Sequence, residues 1–592
     1  MLYKVSFPLQ NDSITVREGT TLLAAEIAAD LRPDAPCGGV GVCGKCRVEI
    51  LDENGKRKSV LACETKVNRD MTVFFTSDAE HRILTEGNSA PAELCPAIHT
   101  LDLTVERATL QNPTSDWARL KAAVENAGCP GIRPDPALSD GLGKTLETLQ
   151  YRPQAVLYKD ELLTLRKGGR LLTAAVDIGT TTVVLYLSDQ ESGSVLVTNS
   201  MLNPQTEFGA DVISRANYAL QHSTEALSAA IRKAVNELLS DALRKANAER
   251  EDVFSLTVVG NTCMHHLFLG IDPESLVLSP YVPSIAEPLV LNAADYGITA
   301  NPRAKLFVLP CIAGFVGADT AAVMLACDFD QRDELTLAID IGTNGELVIG
   351  DQNRTVACST AAGPAFEGAK ITFGMRGASG AIDHASIENG TLRYSVIGSG
   401  KPRGICGSGL LDLTAALLRA GILDETGRFS DPEDLPKEAQ PLSRRLQTME
   451  GLRCFVIADE TESDIGSCIY LSQKDIREVQ LAKGAMAAGI ALMLEHLGRP
   501  VTDIQKVLIA GAFGNYMSPE SACAIGLIPS VLLPRIEAVG NAAGAGALKC
   551  ALSERCFRRS AEMAARTEFI ELASSPDFQD RFVEELMFPE EL

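Results

Sequence analysis

The chain has 592 residues, 46% of them hydrophobic, and a formal charge of −23. That is enough apolar material for several packed cores, and so acidic a chain is set aside as a nucleic-acid binder. No apolar run has the length of a membrane-spanning helix, and the first residues lack the charged-then-apolar pattern of a secretory signal. Its sixteen cysteines therefore point to the reducing cytoplasm, with no membrane partner, rather than to a disulfide framework.

In chain order, residues 1–78 come first. YKVSF and SITVREG alternate like the strands of a hairpin, and TTLLAAEIAAD has helical spacing. CRVEIL and MTVFFT supply further strands, with a turn at Asn54-Gly55 after the first. Between the helix and CRVEIL lies APCGGVGVCGKC, which holds Cys37, Cys43 and Cys46 at C-x5-C-x2-C spacing. Cys63, in LACET, is the fourth thiol. Four thiolates shared between two irons are what a [2Fe–2S] cluster needs. Gly38, Gly39, Gly41 and Gly44 let the backbone wrap the cluster and direct N–H groups at its sulfurs. A zinc ribbon would offer two C-x2-C knuckles where this chain has one, which leaves zinc as the alternative. The segment resembles the adrenodoxin-type β-grasp ferredoxins. The other twelve cysteines show no second ligand spacing. His265 and His266 are adjacent, so neither a helix nor a strand aims both at one metal; they read as core or surface residues.

Residues 79–99 are rich in Gly, Pro, Ser and Asn and read as a linker. Residues 100–168 read as a small α+β middle domain. In it LDLTVERATL is a strand, SDWARLKAAVENAG a helix with Trp117 in the core, and QAVLYKDELLTLRKGG a strand pair. No catalytic pattern is present there, so a spacer or docking role is expected.

At residue 171 the texture changes. LLTAAVDIGTTTVVLYLSD is strand, polar turn, strand, and LTLAIDIGTNGELVIGD repeats the design about 160 residues later. Each turn carries an acid and then Gly and hydroxyl or amide residues: Asp177, Gly179, Thr180, Thr181 and Thr182 in the first, Asp340, Gly342, Thr343, Asn344 and Gly345 in the second. Backbone N–H groups and hydroxyls in such turns clamp phosphate, and the acids hold a hydrated Mg2+ or orient a water. Two purely structural hairpins are the alternative.

Further on, residues 475–500 have the spacing of a long buried helix. VLIAGAFGNY is a strand running into Gly511, Ala512, Phe513, Gly514 and Asn515, small enough to approach a flat base. GICGSGLLDLTAALL reads as a glycine turn opening a helix, another phosphate contact, and GNAAGAGALKCAL opens a final helix.

The two hairpin turns, as phosphate motifs, and VLIAGAFGNY, as an adenosine motif, resemble those of the acetate and sugar kinase, Hsp70 and actin superfamily. The resemblance implies a two-lobed actin-like ATPase fold with ribonuclease H-like halves over residues 169–592, the second phosphate hairpin starting near 335. The order of parts is closer still to the reductive activators of corrinoid proteins. NPQTEFGADVISR (203–215), GNTCMHHLFLG (260–270), CSTAAGPAFEGAKITFGMRG (358–377), GICGSGLLD (404–412) and DIREVQLAKGA (475–485) look like that family's signatures. The resemblance implies ATP-dependent transfer of one electron from the [2Fe–2S] cluster to inactive Co(II), regenerating Co(I), with Asp177 and Asp340 as the catalytic acids. It implies a corrinoid protein of a methyltransferase system as partner, of acetyl-CoA synthesis, O-demethylation or methylamine type. A low-potential electron donor and a homodimer are implied too. Two other classes stay open: an ATP-coupled activator of another redox enzyme such as a dehydratase, and a small-molecule kinase fused to a ferredoxin, with Asp211 as its candidate base.

Overall fold

The computed structural model describes residues 2–8, 12–29, 31, 46–51, 57–74, 93–342, 344–398, 400–449, 451–572 and 575–590. The N-terminal segment folds as β1 (Leu2–Phe7), β2 (Asp12–Arg17), β3 (Arg47–Leu51), β4 (Arg57–Leu61) and β5 (Met71–Phe74) in one sheet, ordered β2-β1-β5-β3-β4. β1 runs antiparallel to β2 and parallel to β5. The helix Leu22–Ala28 lays Leu22, Leu23 and Ala25 onto Val5, Phe7, Val48 and Val73. Thr21 starts that helix: its Oγ1 accepts from Ala24 N at 3.2 Å, satisfying one of the unpaired first-turn amides. This is the mixed β-grasp sheet expected; the Asn54-Gly55 turn lies outside the described residues.

A three-stranded antiparallel sheet follows, β6 (Ile98–Asp102), β7 (Gln154–Tyr158) and β8 (Glu161–Arg166), with the helix Asp116–Asn126. The strand expected over LDLTVERATL begins earlier, inside the stretch read as linker, and ends at Asp102. Leu103 and Val105 still donate to Pro153 O and Tyr151 O, each at 2.9 Å. The ladder stops because the facing chain turns there, Gln150 and Tyr151 having φ of 55° and 58°. Trp117 is half-buried at the edge of a core formed by Leu103, Leu120, Val124 and Leu157.

The rest is two matching layers. The first has β9 (Leu172–Ile178), β10 (Thr182–Asp189), β11 (Val195–Leu202), β12 (Val253–Gly260), β13 (Leu289–Asn292) and β14 (Lys305–Val308), ordered β11-β10-β9-β12-β14-β13. The second has β15 (Thr336–Ile341), β16 (Gly345–Gly350) and β17 (Thr355–Thr360). After two inserted sheets, β18 (Ala381–Glu388), β19 (Thr391–Val396), β20 (Gly404–Ile405) and then β21 (Leu446–Met449), β22 (Leu452–Ala458), β23 (Ile469–Ser472), come β24 (Lys506–Ala510), β25 (Ile536–Gly540) and β26 (Glu568–Phe569). Its order is β25-β24-β15-β16-β17-β26.

The wiring is the same in both layers. The first strand is central, its hairpin partner antiparallel on one side and a later strand parallel on the other. The sequence of β12, VFSLTVVG, is buried on both faces, as a parallel strand roofed by helices must be. The repeat seen in VDIGTTT and IDIGTNG is therefore the repeat of a five-stranded unit, to which the sixth strand is added at opposite edges, β13 beside β14 and β26 beside β17.

The helix Gln473–Leu497 covers the second layer, opened by a reciprocal cap between Ser472 and Asp475 and closed by Gly498. The helix Ala542–Leu552 is not the final one, since Glu554–Arg566 and Pro576–Glu584 follow it. It packs on the helix Ala318–Ala326 of the first layer so tightly that a Cβ on Gly546 would stand 2.0 Å from Ala322 O. Its run of small residues serves this seam between the layers.

Candidate functional site

A cleft of about 300 Å³ opens between the two hairpin turns. Asp177 near the end of β9 and Asp340 near the end of β15 face it from opposite layers, joined by Asp319 in the first turn of Ala318–Ala326 and by Glu346 on β16. Each keeps some surface toward the cleft yet sits far from bulk water. Burial pushes the carboxyls of Asp177 and Asp319 up to about 7 and that of Asp340 to about 6. For Asp319 the neighbouring charge of Asp340 adds to the effect, and Glu346 is raised by burial and then by Asp319 and Asp340. Such a cluster favours a bound cation. Among the described residues, no three acidic, His or Cys side chains form a ready metal cage. Mg2+, which keeps several waters and uses one or two carboxylates plus substrate phosphates, does not need one.

The first turn is braced from behind. Asn203 Nδ2 donates to Gly179 O at 2.8 Å, and Asn261 Nδ2 donates to Thr180 Oγ1 at 2.9 Å. The buried Arg215 guanidinium donates to Thr180 O and, at 2.9 Å, to Gly209 O. Burial lowers its pKa to about 10, which leaves it charged. Asn261 also caps the helix Thr262–Leu269 through Met264 N at 2.9 Å. The stretches 203–215 and 260–270 thus hold the hairpin in shape. His265 and His266 on that helix are buried core residues, and burial lowers the pKa of His265 to about 3.

In the second turn, Gly342 N donates to Asn344 O at 2.9 Å; Thr343 lies outside the described residues. Gly179, Thr180, Thr181, Thr182, Gly342, Asn344, Gly511 and Phe513 all line the cleft. Gly345 and Gly514 face away from it, toward Thr360 Oγ1 and the Ile509 side chain respectively. β24 ends at Ala510, and the glycines read as its continuation form the short helix Gly511–Tyr516, to which Ala512 and Asn515 belong. Phe513 stacks on Phe366 with ring centroids 5.2 Å apart and planes at 16°.

Cys406, Gly407 and Ser408, at the opening of the helix Gly407–Arg419, also line the cleft. So does His384, whose Nδ1 lies 3.0 Å from Asp412 Oδ2, while Asp412 Oδ1 accepts from Ser521 Oγ at 2.6 Å. Asp319, Glu346, Asn261, Glu367, Arg376, His384 and Asn541 are cleft residues that motif reading missed. Asn541 had a signal: an Asn before a run of small helix formers is an N-cap, and its Oδ1 accepts from Gly544 N at 2.9 Å. Its side chain also hydrogen-bonds Asp177. Asp211 is a correction. It caps the helix Val212–His222, its Oδ1 accepting from Ser214 N at 2.7 Å, and it is not part of the cleft wall. It is no base for a small-molecule phosphoryl acceptor.

At the N-terminal sheet, Cys46 is buried and Cys63 half-buried, and Cys63 N donates to Cys46 Sγ at 3.4 Å. Two of the four expected ligands are thus adjacent, with an N–H aimed at sulfur, as an iron–sulfur centre uses. Cys37 and Cys43 lie outside the described residues.

Family models match along the chain. A 2Fe-2S iron-sulfur cluster binding domain matches residues 9–68, and the RACo linker region matches 87–176. The RACo middle region matches 172–332, and the C-terminal domain of RACo, the ASKHA domain, matches 334–592. The chain is 34% identical over 594 residues to the corrinoid activation enzyme RamQ of Eubacterium limosum, covering 99% of each. It is 24% identical over 451 residues to the [Co(II) methylated amine-specific corrinoid protein] reductase of Methanosarcina barkeri, over 70% of this chain and 76% of that one. A solved structure of a reductive activator for corrinoid, iron-sulfur protein aligns with a TM-score of 0.75 at 33% identity, over 99% of this chain and 98% of the other.

Proposed function

The chain belongs to the family of reductive activators of corrinoid proteins, and on that premise we propose how its two ends divide the work. It is an ATP-dependent activase that returns a corrinoid protein to its reduced state. The substrate is the partner's Co(II), which gains one electron to become Co(I). Cys37, Cys43, Cys46 and Cys63 hold the [2Fe–2S] cluster, which supplies a one-electron carrier. Asp177 and Asp340 orient the hydrated Mg2+ of ATP, the turns after them clamp its phosphates, and Gly511 to Asn515 flank its adenosine.

The observation that carries this reading is the placement of Asp177 and Asp340 at equivalent points of two equally wired layers, both facing one cleft. A triphosphate between two such turns links the layers, so nucleotide state sets their separation and, through it, docking on the corrinoid partner. Each tenfold displacement of a one-electron equilibrium takes about 59 mV, or about 1.4 kcal/mol, and ATP turnover supplies that drive.

The remaining assignments are of the same kind. The partner is a corrinoid protein of a methyltransferase system, the donor is a low-potential electron carrier, and the activase works as a homodimer in the cytoplasm. No disulfide joins cysteines of the described residues, which suits a reducing compartment. No described helix is long and apolar enough to cross a membrane. Residues 1–78 form the cluster domain, the stretch from 79 to the anchored segment at Glu93–Cys95 a tether, the sheet from Ile98 to about 168 a small docking domain, and 169–592 the ATPase.

The test separates the two ends. Asp177→Ala or Asp340→Ala should abolish ATP-dependent Co(II) reduction and keep the cluster's visible spectrum. Cys43→Ala should do the reverse, binding nucleotide without delivering electrons. Unchanged Co(II) reduction in both aspartate variants would refute the ATPase assignment.

A further inference from the structure

The cleft has an unbalanced charge. Among the described residues its walls carry Asp177, Asp319, Asp340, Glu346, Glu367 and Asp383 against one guanidinium, that of Arg376. A triphosphate adds negative charge, and during phosphoryl transfer that charge spreads over the γ-phosphoryl oxygens and the departing bridge oxygen. One hydrated divalent cation offsets only part of it.

We propose that Arg376 is the catalytic cation that contacts the γ-phosphoryl group and stabilises it during transfer. The inference rests on the ATPase reading of the cleft. First, the guanidinium is uncommitted: no hydrogen bond or ion pair to another described residue engages it, although the cleft it lines is rich in carboxylates. Second, it lines the same cleft as Thr180 and Thr181 of the first turn. Its charge acts on Arg215, which itself donates to Thr180 O of the first turn and is therefore spent on backbone.

Third, the segment that carries it is rigid. Met375 N donates to Ile405 O and Ile405 N donates to Phe373 O, both at 2.8 Å. Thr372 N and Oγ1 reach Asp475 Oδ1 at 2.7 and 3.0 Å, and Asp475 is fully buried. An uncommitted cation on a fixed backbone, lining the cleft, is what electrostatic stabilisation of a transition state requires. Arginine also offers a planar fork that matches phosphate oxygens, which a lysine cannot reproduce.

The step balances simply. A water oxygen forms the new bond to the γ-phosphorus as the bond from phosphorus to the β,γ-bridging oxygen breaks. ADP leaves with that oxygen and its electron pair, the γ-phosphoryl group becomes inorganic phosphate, and the water's proton passes to solvent. Arg376 donates hydrogen bonds throughout and exchanges no proton.

The experiment compares the full-length holoprotein with Arg376→Ala and Arg376→Lys. It measures ADP affinity with and without aluminium fluoride, a planar mimic of the transferring group, together with ATPase kcat. Arg376→Ala should bind ADP within about threefold of the parent but lose about 100-fold or more of the tightening from aluminium fluoride, with kcat falling in step. Arg376→Lys should lie between. If Arg376→Ala fails to fold, Arg376→Gln keeps the stem and carries the same comparison. A variant that keeps both the tightening and kcat within threefold, beside an active parent, overturns the role of Arg376. A parent that shows neither hydrolysis nor tightening overturns the ATPase reading itself.

Discussion

Gly511 approaches Asp340 so closely that a Cβ on it would stand 2.6 Å from Asp340 Oδ1, and its φ is +85°. Two penalties meet at one atom. A side chain at that φ costs about 1–2 kcal/mol, and the carboxylate must move aside. Gly342 in the second turn differs: a Cβ there meets nothing nearer than Asn344 O at 3.8 Å. Gly511→Ala should therefore lower the melting temperature by several degrees and cut ATPase activity at least tenfold. Gly342→Ala should leave the melting temperature in place. Thermal melts and steady-state hydrolysis of both variants decide it; wild-type hydrolysis by Gly511→Ala would show that Asp340 has slack.

The contrast between these two glycines also marks what sequence reading could reach. Asp177 and Asp340 were legible because each sits in a repeated strand-turn-strand unit whose period and turn chemistry are local. Asp319 and Arg376 were not. Asp319 stands in GADTAAVMLA, which carries no turn or repeat signal, and Arg376 in a stretch marked only by family resemblance, with nothing local to assign it a role; the seam between the layers and the anchor at Asp475 bring both to the cleft. Gly514 carried the right residue type in the right motif, yet the short helix turns it toward Ile509. The strand over LDLTVERATL failed for the same reason: its alternation is local, but its partner's turn at Gln150 and Tyr151 is not visible from it.

Glu26 is fully buried in the N-terminal sheet's helix, and neither carboxyl oxygen finds a hydrogen-bond partner among the described residues. Burial raises its pKa from 4.5 to about 8. The folded domain thus holds a proton that the unfolded chain releases, so stability is fullest below pH 4.5 and is lost as pH rises through about 8. Melting of the holoprotein, followed by bleaching of the cluster's visible band, should come at lower temperature at pH 9 than at pH 6. Glu26→Gln should flatten that slope and melt higher than the parent at pH 9. A slope that survives the substitution would assign it to another group.

His384 is held by a buried chain, Ser521 Oγ to Asp412 and Asp412 to His384 Nδ1, at 2.6 and 3.0 Å. With Nδ1–H donating to the carboxylate, a neutral ring presents Nε2 as an acceptor at the cleft wall. The amino group of adenine is a donor and the corresponding oxygen of guanine is not. His384→Ala should raise KM for ATP about tenfold with a smaller change in kcat, and should narrow the preference for ATP over GTP. Asp412→Asn should act the same way more weakly, because the ring loses its orientation but not its place. Equal KM values for parent and His384→Ala would remove the imidazole from nucleoside recognition.

Asn541 links the seam helix to the chemistry. Its Oδ1 caps Ala542–Leu552 through Gly544 N at 2.9 Å, and its side chain hydrogen-bonds Asp177. The bond favours the ionised carboxylate and opposes the burial that lifts Asp177 to about 7. Asn541→Ser keeps a good N-cap oxygen, so the helix should stay intact, but the shorter side chain gives up the amide donor. The pKa of Asp177 then rises further. If hydrolysis needs that carboxylate charged, the acid limb of the pH–kcat profile should move to higher pH by about one unit, with the alkaline plateau preserved. Fluorescent-nucleotide titrations across pH 6 to 9 should show the same displacement in affinity for Mg–ATP. An acid limb that stays where it was, in a variant that melts like the parent, would mean that Asp177 is charged by its cation alone and that Asn541 serves the seam and nothing else.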